Sequence, residues 1–346
     1  MGAGASANAL PLIMNMNERM EIFKSHLSQK TGNINTDVIK NISSLIETIG
    51  KHYTVDTYAK KVFLKNENDL FLTNFLAAYF TYEQMSKNTT EIVYDINGWS
   101  DDINNNRESL IKKLNTIVDY RYDSFFATLL KNNKNGMLEL PSNINIISWN
   151  YDFQFELAYM NYMKTPSLGE AQKILNVFPL PNNHQIVNDR SKIVKLNGSA
   201  GFYRNSDEPN STYEAVFDYK KLLFSEENAK VIYNILSESR SFYENNIKFS
   251  WINDNQTMKA RDMARDILSD TDILVVVGYS FPYFNRDIDR YIFSFLTTRI
   301  AGNIFLQTHS DSFESTKNRM IAIHQQLYHT KPFTELDQFL IPGKYS

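Results

Sequence analysis

Apolar residues recur at three- and four-residue steps through the first third of the chain and then change rhythm. NTDVIKNISSLIETIGKHY (35–53), NENDLFLTNFLAAYFTYEQMSK (66–87) and NRESLIKKLNTIVDYRYDSFFATLLK (106–131) all carry this helical period. No strand stands out among them. Past GMLELPSN, where Gly136 and Pro141 mark a boundary, short apolar runs begin to alternate with helical ones. INIISW (144–149), KIVKL (192–196), DILVVVG (272–278) and NIFLQ (303–307) predict strands. YDFQFELAYMNYM (151–163), QTMKARDMARDILSD (256–270) and IDRYIFSFLTTRI (288–300) predict the helices between them. Strands alternating with helices imply βαβ units and a parallel sheet. The unbroken Ile/Val run of DILVVVG predicts a strand covered on both faces.

Composition narrows the class. With 346 residues, 42% of them hydrophobic, the chain can bury a substantial core. The charge balance of 36 basic against 39 acidic residues, with no block of like sign, argues against a nucleic-acid-binding surface. No cysteine is present, which rules out disulfides, thiol nucleophiles and a zinc site built on cysteines. The longest apolar run, around ILVVVGYSF, is far short of the ~18 residues of a membrane span, and no cationic leader opens the sequence. A cytoplasmic protein without a membrane or nucleic-acid partner is expected.

The chemistry should lie just after the strands, because ligands of open α/β sheets bind outside the strands' carboxyl ends. Asn150, Tyr151 and Asp152 follow the first predicted strand, and Asn197, Gly198 and Ser199 the second. Gly278, Tyr279 and Ser280 follow the third, with Asp287 close behind. Each loop also has an ordinary reading: Asn150 and Asp152 as helix caps, Asn197-Gly198 as a hairpin turn, and GYSFP as a turn closed by its proline. Their recurrence at successive strand ends favours a binding site.

The chain opens with MGAGASANALPLI, in which Gly2, Ala3, Gly4, Ala5 and Ser6 leave the backbone nearly bare. Main-chain amides could then approach a phosphate, helped by the N-terminus of a helix expected to follow at Ile13, Met16, Met20 and Phe23. Such a loop normally follows a buried strand, and here only Met1 precedes it. Either several apolar residues are missing ahead of Met1, or the fold leaves that place empty or fills it otherwise. The first is the expectation, since an absent central strand exposes two rows of unpaired backbone groups.

GAGAS…LP, ending at Pro11, with NYD at 150–152, LNGS at 196–199 and GYSFPYFNRD at 278–287, resembles the sirtuin-like fold. The similarity is greatest to its bacterial branch, which hydrolyses NAD in anti-phage defence. The resemblance implies a Rossmann-like NAD-binding core over 1–12 and 141–346, with a helical insertion over 13–140. It further implies that Gly2 to Ser6 and Pro11 cradle the pyrophosphate and that Asn150 and Asp152 flank the nicotinamide ribose. Gly198, Ser199, Gly278, Tyr279, Ser280 and Asp287 would line the groove. Sirtuin deacylases hold a structural zinc with four cysteines, so a cysteine-free chain departs from a deacylase, and no metal is expected. Where the family carries a catalytic histidine this chain has Asn197, which cannot act as a base at working pH. Of the six histidines only His184, in the loop before LNGS, is placed to substitute.

The expected activity is NAD hydrolysis to nicotinamide and ADP-ribose, with Asn150, Asp152 and Asn197 as catalytic residues. The alternative is a catalytically silent module that binds NAD or ADP-ribose. Control is expected from assembly, as a homo-oligomer or with a larger partner such as an ATPase. The contact surface would be the aromatic helices bearing Phe71, Phe75, Tyr79, Phe80 and Tyr82, and Tyr120, Tyr122, Phe125 and Phe126.

Overall fold

The computed structural model describes residues 1–12, 15–32, 36–52, 54–65, 70–87, 116–133, 136–163, 167–179, 185–205, 207–208, 211, 213–215, 223–237 and 243–343. After a short 3-10 turn at Ala3–Ser6 come helices α1 (Met16–Thr31), α2 (Thr36–Gly50), α3 (Val55–Leu64), α4 (Leu70–Glu83) and α5 (Tyr120–Leu129). Strands β1 (Lys131–Asn132), β2 (Leu138–Glu139) and β3 (Ile146–Ser148) follow, then α6 (Gln154–Met163), α7 (Leu168–Ile174), β4 (Val177–Phe178) and β5 (Ile193–Lys195). Next are β6 (Gly198–Asn205), β7 (Glu214–Ala215), α8 (Glu226–Ser237), β8 (Tyr243–Ile247) and α9 (Asn255–Ser269). The chain closes with β9 (Leu274–Val277), α10 (Arg286–Phe293), β10 (Ile304–Gln307), α11 (Ser310–Ile321) and β11 (Lys331–Phe333). No helix among the described residues is long and apolar enough to cross a membrane.

The protein is mixed α/β, with parallel sheets flanked by helices, and forms two compact units. The first comprises Met1–Ser6, Tyr120–Gly198 and Lys248–Ser346. It holds two parallel three-stranded ladders, β3-β5-β4 and β9-β10-β11. All four predicted strands are present, Ile146 pairing with Ile193 and Leu274 with Ile304. The helix α9 begins where Asp254 accepts from the Thr257 amide at 2.8 Å while the Thr257 hydroxyl accepts from the Asp254 amide at 3.0 Å, a reciprocal cap. Its apolar face, with Ala260, Ala264 and Leu268, packs into one core with Val194, Val276, Ile292, Ile304 and Leu306.

The second unit comprises Ala7–Asp119 and Ser199–Ile247. Phe23, Phe75, Tyr79, Tyr82 and Phe224 form its aromatic centre, beside a buried ion pair between Arg19 and Glu83. It is not all-helical. It also contains α8, packed on α1, and the ladder β7-β6-β8, whose β8 lies against α4. Asn245 on β8 is tied to α4 by donating to Asn74 Oδ1 at 2.7 Å and Thr73 Oγ1 at 3.0 Å.

The expected boundaries at residues 13 and 140 therefore move. The helix α5 belongs to the first unit because Tyr122, Phe125 and Phe126 pack edge-to-face around Phe155, with Phe339 closing over Tyr122 and Phe125. It begins only at Tyr120; of the long helix expected over 106–131, residues 106–115 lie outside the described ones, and 116–119 are not helical. The aromatic docking surface is corrected as well. Phe75, Tyr79, Tyr82, Tyr122 and Phe126 are at most 1% exposed and Phe125 7%, because the first three pack with Phe23 in the second unit and the others around Phe155 in the first; Phe71 and Phe80 are half-buried, and Tyr120 is exposed. Nor do β5 and β6 form a hairpin across Asn197-Gly198: Gly198, at φ 74°, turns the chain into a different ladder.

Phe126→Ala should cost about 3–5 kcal/mol in urea denaturation, the range for a large aromatic lost from a packed core. Tyr120→Ala, at the exposed start of the same helix, should change stability by less than about 0.5 kcal/mol.

Candidate functional site

Met1 and Gly2 make ladder bonds to two different strands. The Met1 amine donates to the Ile147 carbonyl at 2.6 Å and the Met1 carbonyl accepts from the Trp149 amide at 3.0 Å. The Gly2 amide then donates to the Val277 carbonyl at 3.0 Å. The two residues thus lie as a stub of parallel strand between β3 and β9, and the Ala3–Ser6 turn emerges at those strands' carboxyl ends.

There the glycines cross. A Cβ on Gly278 would lie 2.3 Å from the Ala5 nitrogen, and one on Gly4 would lie 2.8 Å from the Gly278 Cα. A Cβ on Gly2 would meet the Gly278 oxygen and the Tyr279 Cα at 2.7 Å. The bareness of the opening segment is therefore explained first by packing of the protein against itself. The same packing uses donors, since the Gly4 amide is bonded to the Gly278 carbonyl at 3.0 Å and that of Ala5 to the Gly2 carbonyl at 2.8 Å. With Gly2 engaged too, three of the loop amides are turned to protein carbonyls. The helix expected to follow directly opens only at Met16, in the other unit, so its N-terminus does not abut this loop in sequence.

Asn150 and Asp152 converge on the loop. Asn150 Nδ2 donates to the Gly2 carbonyl at 3.1 Å and to Ser6 Oγ at 3.3 Å. Ser6 Oγ donates to Asp152 Oδ2 at 2.7 Å and lies 2.8 Å from the Tyr122 hydroxyl. The Gln154 amide donates to Asp152 Oδ1 at 3.2 Å, so Asp152 also caps α6, as its ordinary reading expects. Burial pushes the Asp152 carboxyl above the usual aspartate value, against the pull of Lys195, the Ser6 hydroxyl and the Gln154 amide. Lys195 lies beneath, its ammonium donating to the Asp152 carbonyl at 2.7 Å and to Glu156 Oε1 at 2.6 Å. Asn197 Nδ2 donates to the Trp149 carbonyl at 3.2 Å, which joins the second loop to the first.

On the third loop the Tyr279 ring stacks on Trp149, centroids 5.5 Å apart and planes 13° apart. Its hydroxyl donates to the Asp289 carboxylate at 2.9 and 3.0 Å and accepts from Asn285 Nδ2 at 3.1 Å. Burial raises the Asp289 carboxyl well above its ordinary range, with the Tyr279 hydroxyl, the Met1 ammonium and Arg286 opposing.

Of the expected site residues, Gly2, Gly4, Ala5, Ser6, Asn150, Asp152, Asn197, Gly278 and Tyr279 are linked by these contacts. Ala3 and Ser280 are exposed near them in sequence, Tyr151 is half-buried, and Asp287 is exposed in the first turn of α10. Pro11 and Ser199 fall in the second unit, and Gly198 is the last residue of the first unit's middle segment. His184 lies outside the described residues. Tyr122, Lys195, Glu156 and Asp289 were not expected; a lysine inside the apolar run KIVKL is the one signal that pointed to any of them. Among the described residues no three His, Cys, Asp or Glu side chains gather as metal ligands would. No family model, curated protein or solved structure matches the chain.

Gly302→Ala, at φ 83° in open space, should cost about 1 kcal/mol for its backbone alone. Gly278→Ala combines φ 58° with a collision against Ala5, and thermal denaturation should show at least twice that loss. Equal losses would mean that the crossing is not tight.

Proposed function

We propose that the protein is an NAD glycohydrolase with a Rossmann-like core, releasing nicotinamide and ADP-ribose. The observation that carries this reading is the convergence of Asn150, Asp152 and Ser6 on the glycine crossing at the carboxyl ends of β3 and β9, where α/β sheets bind ligands. The resemblance of the same loops to bacterial NAD-hydrolysing sirtuin-like proteins supplies the substrate. The Ala3–Ser6 turn and Gly278 face the pyrophosphate, through whichever donors the glycine crossing leaves open.

The chemistry asks little of an acid. Cleavage of the nicotinamide–ribose bond releases a leaving group that is already cationic in NAD, and water then captures the ribosyl cation and loses a proton. The site has to orient that water and supply negative potential. Asn150 serves the first role and ionised Asp152 the second, with Asn197 holding ribose hydroxyls. Because burial raises the Asp152 pKa, the rate should climb with pH through that raised value. The second unit, which the chain enters twice from the first, is an insertion in this reading. An unrestrained NAD hydrolase would drain its own cell, so activity in anti-phage defence is switched by assembly with further copies or a larger partner.

A second reading, a silent NAD-binding module, draws on one observation. Asp152 has both oxygens engaged, and Asn197, which is no base, has its amide spent on the Trp149 carbonyl.

Nicotinamide release by the purified protein separates the two. Asn150→Ala should lower the rate by about 10²-fold or more with the melting transition retained, and Asn197→His should raise it by about tenfold or more by restoring a base. NAD binding without turnover in the parent and in Asn197→His would favour the silent module.

A further inference from the structure

The strand β5 is buried along its whole length, and its third residue is a lysine. Ile193 and Val194 are fully buried and Lys195 is only 2% exposed. By contrast β9, whose sequence predicts cover on both faces, leaves Leu274 and Val275 half-buried. A cation therefore stands where an apolar side chain is the ordinary choice. Its register places it opposite Ser148, two residues ahead of Asn150 and beside the first loop of the site.

Stability does not account for the lysine. Its ammonium is matched by Glu156, fully buried on α6, and Gln172 on α7 donates to the same carboxylate oxygen at 2.9 Å. A buried ion pair of this kind is often replaceable by uncharged side chains of similar volume without loss, because taking two charges out of water offsets their attraction. This pair is also incompletely satisfied. Among the described residues Glu156 Oε2 and Gln172 Oε1 have no donor, and each orphaned acceptor counts against the folded state.

What the pair does achieve is a fixed position for one positive charge. The Lys195 ammonium is held between Glu156 Oε1 at 2.6 Å and the Asp152 carbonyl at 2.7 Å. It thereby grips the main chain of the residue whose carboxyl receives the Ser6 hydroxyl. Burial holds that carboxyl above its ordinary value; of the charges acting on it, Lys195 favours the ionised form and Glu156 opposes more weakly. The Gln154 amide donates to it directly, and the Tyr122 phenol on α5 reaches it through Ser6.

We propose that Lys195 is a positioning residue for Asp152: it pins the Asp152 main chain and sets a positive charge near the carboxyl, while Glu156 and Gln172 clamp the ammonium in place. The catalytic consequence rests on the reading of Asp152 given above; the ionisation of Asp152 itself does not.

The test follows the Asp152 carboxyl by 13C NMR titration of the NAD-free protein, its signal assigned by loss in Asp152→Asn. Lys195→Met combined with Glu156→Gln removes both charges with little change in volume, and the double variant should melt within about a few degrees of the parent. Because Lys195 acts more strongly than Glu156, the Asp152 midpoint should rise by about half a pH unit or more. An unmoved midpoint in the folded double variant would overturn the proposal. So would a double variant that fails to fold, since the pair would then be structural. The acid limb of nicotinamide release should move up with the midpoint. A raised midpoint with no such movement would uphold the positioning role and count instead against Asp152 as the group the reaction uses.

Discussion

Two residues connect the two parallel ladders of the first unit. Without the bonds from Met1 to Ile147 and Trp149 and from Gly2 to Val277, no backbone bond among the described residues would link the ladder β3-β5-β4 to β9-β10-β11 through this seam. Each such bond contributes only about 1 kcal/mol net, but their placement decides the geometry of everything downstream. The stub sets where the Ala3–Ser6 turn emerges, the turn sets where Ser6 meets Asp152, and the crossing with Gly278 seats the Tyr279 ring against Trp149. Arg121 reinforces the seat by donating to the carbonyls of Gly4 and Ala5 at 3.0 and 3.1 Å.

Asp152 lies where several demands meet. It caps α6, receives the Ser6 hydroxyl and sits over Lys195, whose charge is matched by Glu156, which also accepts from Gln172 at 2.9 Å. A carboxylate so enclosed resists ionising, and the three donors around it offset that resistance. The outcome is a buried carboxyl held in one orientation, still above its ordinary value; in the proposed reaction its ionised form would face the forming ribosyl cation. Asp289 plays a comparable structural part on the third loop by fixing the Tyr279 hydroxyl.

Much of the first unit was legible from hydrophobic rhythm. The runs at 144–149, 192–196, 272–278 and 303–307 are long and β-branched enough to stand out, and they became β3, β5, β9 and β10. The two outermost strands were not visible: Val177–Phe178 is two residues long, and Lys331–Phe333 places a proline at an edge. The aromatic helix Tyr120–Leu129 repeats at helical spacing like those before it, and only its partners Phe155 and Phe339, distant in sequence, reveal which core it joins. At the site, the need for small residues at Gly2 and Gly4 was readable, but its immediate cause, one loop crossing another at Gly278, is a tertiary fact. Asp289 was missed for the same reason, as its role depends on Tyr279 folding back onto α10.

The central claim is that NAD binds at the carboxyl ends of β3 and β9. Backbone amide chemical shifts recorded while NAD is titrated into the Asn150→Ala protein, slowed in turnover, address it directly. The account predicts perturbations concentrated at residues 2–6, 149–152 and 278–280, with Asn145, Lys192 and Leu274 unmoved. Perturbations clustered at those last three residues, or none at saturating NAD, would contradict it.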